Sequence, residues 1–286
     1  MDRSANSKIV RVIVPLQKCF GPREEFNGYI FRNIKNGMYY IEAENKAPHN
    51  LLLDRVSKDY IENRFYKITC SNVNFVNELS LNKEMLLSGL PKNVDDISMT
   101  QLERNFLFNF IKKIAPRKIM EFSPFNGFST LTICGALTEI NIRPDFFETH
   151  EIDKENVRLT NFNLYENNVD FVRVVEGDVF KTLDKEKLKE VDFLLIDSDH
   201  SGEFAARYIE EFFPLLKDGC WVAIHDMSCD WYFESYEREA VMEYFKSNNI
   251  DTYFHIADLM KMYQIVDDGF IWSMSRNTLL FWKVKK

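Results

Sequence analysis

Two short clusters in this 286-residue chain set imidazole beside carboxylate: Asp197-Ser198-Asp199-His200, and His225-Asp226. An imidazole whose pKa lies near ~6.5 can take a proton from a hydroxyl at neutral pH. The same residue types can instead hold a divalent ion through carboxylate oxygen and ring nitrogen. Three further groups end in an acid and a turn. They are Glu121-Phe122-Ser123-Pro124-Phe125-Asn126-Gly127-Phe128-Ser129-Thr130, His150-Glu151-Ile152-Asp153 and Glu176-Gly177-Asp178-Val179.

Each group directly follows a short apolar run that reads as a buried strand: Lys118–Phe122, Phe146–Ile152, Phe171–Val175, Phe193–Ile196 and Trp221–Ile224. Helical patterns alternate with these runs, at about 129–138, 155–166, 182–190 and 202–216. Before them, Thr100-Gln101-Leu102-Glu103 is a capping box opening a helix with apolar Leu102, Phe106, Leu107, Phe110 and Ile114. Buried strands alternating with amphipathic helices predict an α/β fold, a parallel sheet covered on both faces. Ligands of such sheets sit beyond the carboxyl ends of the strands, near the switch in strand order.

That placement gives each group a task. A single glycine with small hydroxyls lets the chain turn into a helix whose first amides face a ligand. It is not a GxGxxG dinucleotide fingerprint, because only Gly127 is present, which weighs against a nicotinamide-dependent dehydrogenase. Glu151 stands where it can accept hydrogen bonds from two ribose hydroxyls, and Asp178 with the Val179 amide can read an adenine edge. An acid at one strand end is ordinarily a helix cap. Five such groups in order, each one strand apart, need another reason.

The series resembles the class I S-adenosylmethionine-dependent methyltransferases over roughly residues 98–230. The stretch Val191–Glu203, continued by Phe213-Pro214-Leu215-Leu216-Lys217-Asp218-Gly219-Cys220-Trp221-Val222-Ala223-Ile224-His225-Asp226, looks like the sugar and small-molecule O-methyltransferase branch, with its macrolide-sugar and bacterial glycan enzymes. The resemblance implies a Rossmann-like, doubly wound, mostly parallel seven-stranded sheet. It assigns Glu121, Ser123, Asn126, Gly127, Ser129 and Thr130 to the methionine part of the cofactor. It also assigns Glu151 to the ribose, Asp178 and Val179 to the adenine, and Asp197 to the same site.

In that branch, acids after the fourth and fifth strands hold Mg²⁺, which would make Asp197, His225 and Asp226 the ligands and Asp199 the base. His225 departs from the pattern, since imidazole is a less natural ligand for a hard cation than carboxylate. Two readings stand: a divalent ion that tolerates nitrogen, or a metal-free site with His200 or His225 as base. The expected reaction is methyl transfer to a hydroxyl of a sugar, glycan or other polar small molecule. The alternatives are N-methylation and an inactive cofactor-binding scaffold.

Composition narrows the rest. Lys and Arg number 36 against 44 Asp and Glu, a net charge of −8, and no basic block argues for nucleic acid as partner. No run approaches the ~20 apolar residues of a membrane span, and the N-terminus lacks a signal-peptide layout, so a soluble cytoplasmic protein is expected. The five cysteines (Cys19, Cys70, Cys134, Cys220, Cys229) show no CxxC spacing and read as buried free thiols. His49 and His255 have no motif around them, and His150 reads as packed.

The division expected is a methyltransferase domain over 96–286 and a β-rich region over 1–95. Asn36-Gly37 between Tyr29–Ile34 and Met38–Ala43 predicts a hairpin there, beside runs at Ile9–Leu16 and Phe65–Cys70 and a bridging helix near 77–88. Three roles are open for this region: a cap on the acceptor, a homo-oligomer contact, or a surface for a larger substrate. Trp231-Tyr232-Phe233 and Tyr236 read as an acceptor lid, and Tyr253-Phe254 and Phe270-Ile271-Trp272 as final antiparallel strands.

Overall fold

The computed structural model describes residues 12–15, 29–35, 38–43, 73–90, 99–227, 237–263 and 279–286. The chain divides into two compact units, Met1–Ile68 with Asp268–Trp272 and Thr69–Asp267 with Ser273–Lys286. In the first, β1 (Val12–Pro15), β2 (Tyr29–Lys35) and β3 (Met38–Ala43) form an antiparallel sheet of order β1-β3-β2. Lys35 pairs with Met38, the register expected of a hairpin around Asn36-Gly37. The runs at 65–70, 231–236 and 270–272 and the imidazole of His49 lie outside the described residues.

The second unit is built on a seven-stranded sheet of order β6-β5-β4-β7-β8-β10-β9. The strands are β4 (Lys118–Phe122), β5 (Phe146–Glu151), β6 (Arg173–Glu176), β7 (Phe193–Ile196), β8 (Trp221–Ile224), β9 (Tyr253–His255) and β10 (Leu280–Lys283). Pairs β4–β5, β5–β6, β4–β7 and β7–β8 are parallel, while β10 is antiparallel to both β8 and β9. This is the doubly wound, mostly parallel sheet the sequence predicts. The strand antiparallel to β8 is Leu280–Lys283, which sequence patterning did not pick out, whereas the strand at Tyr253–His255 is the one expected at Tyr253-Phe254. Chain order reverses between β4 and β7, so the switch point lies where Phe122 and Ile196 end their strands.

The helices are α1 (Val73–Glu78), α2 (Glu84–Leu87), α3 (Gln101–Ile114), α4 (Phe128–Glu139), α5 (Lys154–Glu166), α6 (Val179–Thr182), α7 (Lys185–Leu188), α8 (Gly202–Glu211), α9 (Glu237–Ser247) and α10 (Ile256–Met262). Three expected single helices are interrupted, the one at 202–216 being α-helical only to Glu211 and followed by a 3₁₀ turn at Phe213–Leu215. Ser80, at a φ of 50°, separates α1 from α2. Asp184 accepts the Glu186 and Lys187 amides and so starts α7 afresh after α6. The expected capping box on α3 is complete, with Thr100 and Glu103 exchanging side-chain-to-backbone bonds.

Alternation along β10 shows how the sheet is sandwiched. Phe281 packs with Phe106 and Phe110 of α3, at ring centroid distances of 5.2 and 4.8 Å. Its neighbour Trp282 packs with Phe213 and Phe245, at 5.0 and 5.3 Å. Asn105 and Asn109 of α3 donate to the Leu86 and Met85 carbonyls, tying α2 to the same layer. Cys134 and Cys220 are buried free thiols, as expected; the other three cysteines lie outside the described residues. No helix among the described residues is long and apolar enough to cross a membrane. Phe110→Ala opens a cavity among Phe106, Trp221, Phe254 and Phe281, and denaturant unfolding should show a loss of about 3–5 kcal/mol.

Candidate active site

At the end of β4 the chain turns through left-handed backbone at Ser123 (φ 57°), Phe125 (φ 53°) and Gly127 (φ 86°). Non-glycine residues in that region are uncommon, and two within three residues mark a turn held by its surroundings. Ser123 N–H donates to the His150 carbonyl at 2.8 Å. From α5, Thr160 Oγ1 and Asn163 Nδ2 donate to the carbonyls of Phe125 and Asn126, at 3.0 and 2.7 Å. A Cβ at Gly127 would approach Thr160 Cγ2 to 3.1 Å, so close approach as well as φ favours glycine. Gly127 is also the N-cap of α4 and has no side chain to cover its first amides.

Glu121 is fully buried, and its two oxygens accept from Ser129 Oγ (2.5 Å) and Thr130 Oγ1 (2.6 Å). These three residues therefore spend their side chains on one another. What they leave for a ligand is backbone. Burial pushes the Glu121 carboxyl up to about 7, against the pull of the two hydroxyls.

One strand over, Glu151 accepts the amides of Phe125 (3.2 Å) and Asp153 (2.9 Å), which aims its carboxylate across the β4 turn. Ile152 beside it is 67% exposed, and Phe125 and Phe128 are also exposed. In the sequence Ile152 reads as strand pattern, and Phe125 and Phe128 as members of the turn group after β4, with no role of their own. Asp178 caps α6 by accepting the Phe180 amide, and Val179 is buried.

The β7 and β8 ends converge as their order in the sheet requires. Asp197 Oδ1 lies 3.0 Å from His225 Nδ1, and Asp226 Oδ1 lies 3.5 Å from the same nitrogen. The other Asp226 oxygen is 3.1 Å from His200 Nε2, and His200 Nδ1 meets Glu237 Oε2 of α9 at 2.7 Å. Glu237 also accepts the Tyr208 hydroxyl at 2.9 Å. His225 Nε2 faces Glu103 Oε2 of the α3 capping box at 3.5 Å. Asp197, His200 and Asp226 keep 17, 24 and 25% of their side chains exposed, against 4% or less for His225, Glu103 and Glu237. The first three are the open face of the cluster, and the others are its floor.

Burial alone would lower both histidines, but the surrounding carboxylates outweigh it. His225 is held well above the ordinary value by Asp197, Asp226 and Glu103, and His200 is raised by Glu237, Asp226 and Asp197. Burial also raises Asp197, yet the His225 charge more than offsets this and holds it below the usual range. Asp199 is exposed, its Oδ1 accepts the Ser201 amide at 2.9 Å, and it pairs with neither histidine. Glu103, Glu237 and Tyr208 carry no motif pointing to this site; Glu103 showed only its capping role. His150 packs as expected, bonded to Thr182 Oγ1 at 3.1 Å, and burial lowers it to about 4.

Residues 124–227 match a family model described as a methyltransferase domain. The matched stretch carries the β4 turn, β5 to β8 and the switch point in strand order. Among solved structures the chain is similar to the O-methyltransferase from Bacillus cereus in complex with SAH, at 15% identity, covering 79% of this chain and 96% of that one, with a TM-score of 0.47. It is also similar to the O-methyltransferase TomG from Streptomyces achromogenes, involved in tomaymycin synthesis, at 12% identity, 81% and 96% coverage and a TM-score of 0.48. The SAH-bound methyltransferase PaMTH1 from Podospora anserina is similar at 16% identity, 85% and 100% coverage and a TM-score of 0.43. No curated protein matches the chain in sequence.

The Glu121 carboxyl yields a signed test. Its folded pKa is raised, so its contribution to stability is complete below 4.5 and is lost as pH rises through about 7. Glu121→Gln removes that loss. Melting temperatures at about pH 5 and pH 8 should shift in the variant's favour at the higher value, and a pH-independent difference would show that burial does not perturb this acid.

Proposed function

We propose that this chain transfers a methyl group from S-adenosylmethionine to a hydroxyl of a sugar or other polar small molecule. One observation carries the reading: a partly open carboxylate–imidazole cluster at the β7 and β8 ends adjoins the switch point, beside a turn and an acid at the β4 and β5 ends. S-adenosylmethionine supplies a methyl carbon on a positively charged sulfur, and its transfer to oxygen releases the hydroxyl proton. The reading assigns this chemistry to residues 96–286.

The residues present fit that cofactor. Glu151 keeps lone pairs free beyond the two amides it accepts, enough for a ribose diol. The exposed Ile152 offers an apolar face to a purine ring, with Asp178 and the Val179 amide for its edge. The uncovered first turn of α4, entered through Ser123, Asn126 and Gly127, suits a carboxylate, and Asp197 suits an ammonium group. Glu121 acts from beneath, pinning Ser129 and Thr130 so that the turn keeps its shape.

For the acceptor, the His200–Asp226 pair is the open part of the cluster and the group that receives the proton. In-line positioning of oxygen, carbon and sulfur supplies much of the remaining rate. Asp197, His225 and Asp226 are also the residues that would hold a divalent ion, whose charge would favour the deprotonated hydroxyl.

Isotope-labelled methyl transfer followed by product mass spectrometry tests the reaction, and label on nitrogen alone would overturn the O-transfer assignment. Glu151→Ala should weaken S-adenosylhomocysteine binding by about 1–3 kcal/mol in calorimetry, the scale of lost charged hydrogen bonds. His200→Ala should lower turnover by ~10²–10⁴ with cofactor affinity nearly intact. Asp199→Ala should leave turnover close to the parent's, because that carboxylate serves only a local turn.

A further inference from the structure

We propose that the outer face of α5 is a self-association surface, on which the same helix of a second copy of this chain packs antiparallel, about a two-fold axis close to Phe162. The pairing is independent of the methyl-transfer reading and of the cluster at the β7 and β8 ends.

Along α5 (Lys154–Glu166) only Thr160 and Leu164 are buried. The far side of the helix carries Leu159, Phe162 and Tyr165, which are 40, 58 and 77% exposed. At i, i+3 spacing these three are neighbours in one row. A lone apolar side chain at the surface is ordinary, whereas a contiguous row marks a surface made for contact. The remaining exposed large apolar residues among those described lie at the β4 and β5 ends or singly on α2 and α10. The α5 row serves neither the core nor the cofactor turn. Its inner side does serve that turn, since Thr160 and Asn163 hold the Phe125 and Asn126 carbonyls. A copy seated on the outer face therefore backs the helix that supports it.

Charge identifies the occupant. Arg158, Phe162 and Glu166 make one i, i+4 ridge through this face, with a cation at one end, an anion at the other and an aromatic ring between; all three are exposed. Helices whose i±4 ridges interdigitate cross at about 50°. When the second helix runs antiparallel, Arg158 meets Glu166 of the partner subunit, Glu166 meets Arg158 of the partner subunit, and the two Phe162 rings lie together. The ridge is complementary to itself, as an isologous interface requires. Arg158 holds Glu155 at 3.2 Å, and its guanidinium fork has donors for a second carboxylate. Glu166 sits in a last turn without a basic residue, where the helix dipole disfavours an acid, so a cation brought there by a second copy is stabilising. Parallel packing would set like charges together. The exposed charges thus select orientation, and the apolar row supplies affinity. An interface centred on one helix is small, so the dimer is a reversible one, with a Kd of about 1–100 μM.

The test is sedimentation equilibrium of the full chain across that concentration range, where the mass should climb from 33.9 kDa toward twice that value. Phe162→Glu should raise the dimer Kd by about thirtyfold or more, with an unchanged circular dichroism spectrum because the side chain is exposed. Arg158→Glu and Glu166→Arg should each weaken association, and the double variant should return it to within about threefold of the parent. Phe162→Cys should cross-link to itself under mild oxidation, with the parent chain treated alike as control. A monomer at every concentration overturns the proposal, as does a dimer indifferent to Phe162→Glu. A double variant no tighter than either single change overturns the antiparallel pairing, and so does a Phe162→Cys chain that dimerises without cross-linking.

Discussion

Charge compensation at the carboxyl edge of the sheet is the constraint on which the rest of the site depends. Glu103, Asp197, Asp226 and Glu237 surround two imidazoles, and three of the six groups are almost wholly dry. Carboxylates this close would repel one another if nothing positive lay among them. Interleaving fixes the arrangement: each imidazole nitrogen faces an acid from a different element. Helices α3 and α9 are thereby tied to strands β7 and β8 by polar contacts as well as by the aromatic layers beneath. Removing one partner from a buried pair leaves the other charge uncompensated, at a cost of about 3–5 kcal/mol.

Glu121 solves a similar problem differently. No cation balances it, so two hydroxyls from α4 satisfy both its oxygens and burial raises its pKa toward neutrality. The same bonds lock the first turn of α4 against the end of β4, while Glu151 holds the loop from the β5 side through the Phe125 amide. Left-handed backbone at Ser123 and Phe125 can persist because the turn is fixed from both directions. A rigid turn with exposed amides is what orientation of a ligand demands, since misplacement of the reacting atoms by a fraction of an ångström is costly.

How much of this was legible follows from sequence distance. Glu151, Asp178, Asp197, His225 and Asp226 each end or directly follow a strand whose apolar run is unmistakable, so order along the chain already ranks them along one edge. The buried partners of the two histidines come from helices far away in sequence: Tyr208 and Glu237 are 29 residues apart, and Glu103 is paired with a histidine on another element. Helical periodicity records which face is apolar, and says nothing of which polar residue will meet a strand end. Asp199, two residues beyond Asp197, stands at the step into a helix cap, where its Oδ1 accepts the Ser201 amide.

Glu103 joins these threads. Its Oε2 accepts the Thr100 amide, completing the capping box, and its Oε1 accepts the Leu279 amide just before β10. The same Oε2 faces His225 at the end of β8. One carboxylate thus starts a helix, anchors the antiparallel strand beside β8 and steadies the deepest imidazole of the cluster. A capping acid is ordinarily exposed and is worth about 1 kcal/mol, but this one is fully buried. Burial of a charged cap is unfavourable unless its other lone pairs are used, and here they are used on the two elements that carry the cluster. The local signal that opens α3 therefore also fixes how that helix meets the sheet edge where the carboxylate–imidazole cluster lies.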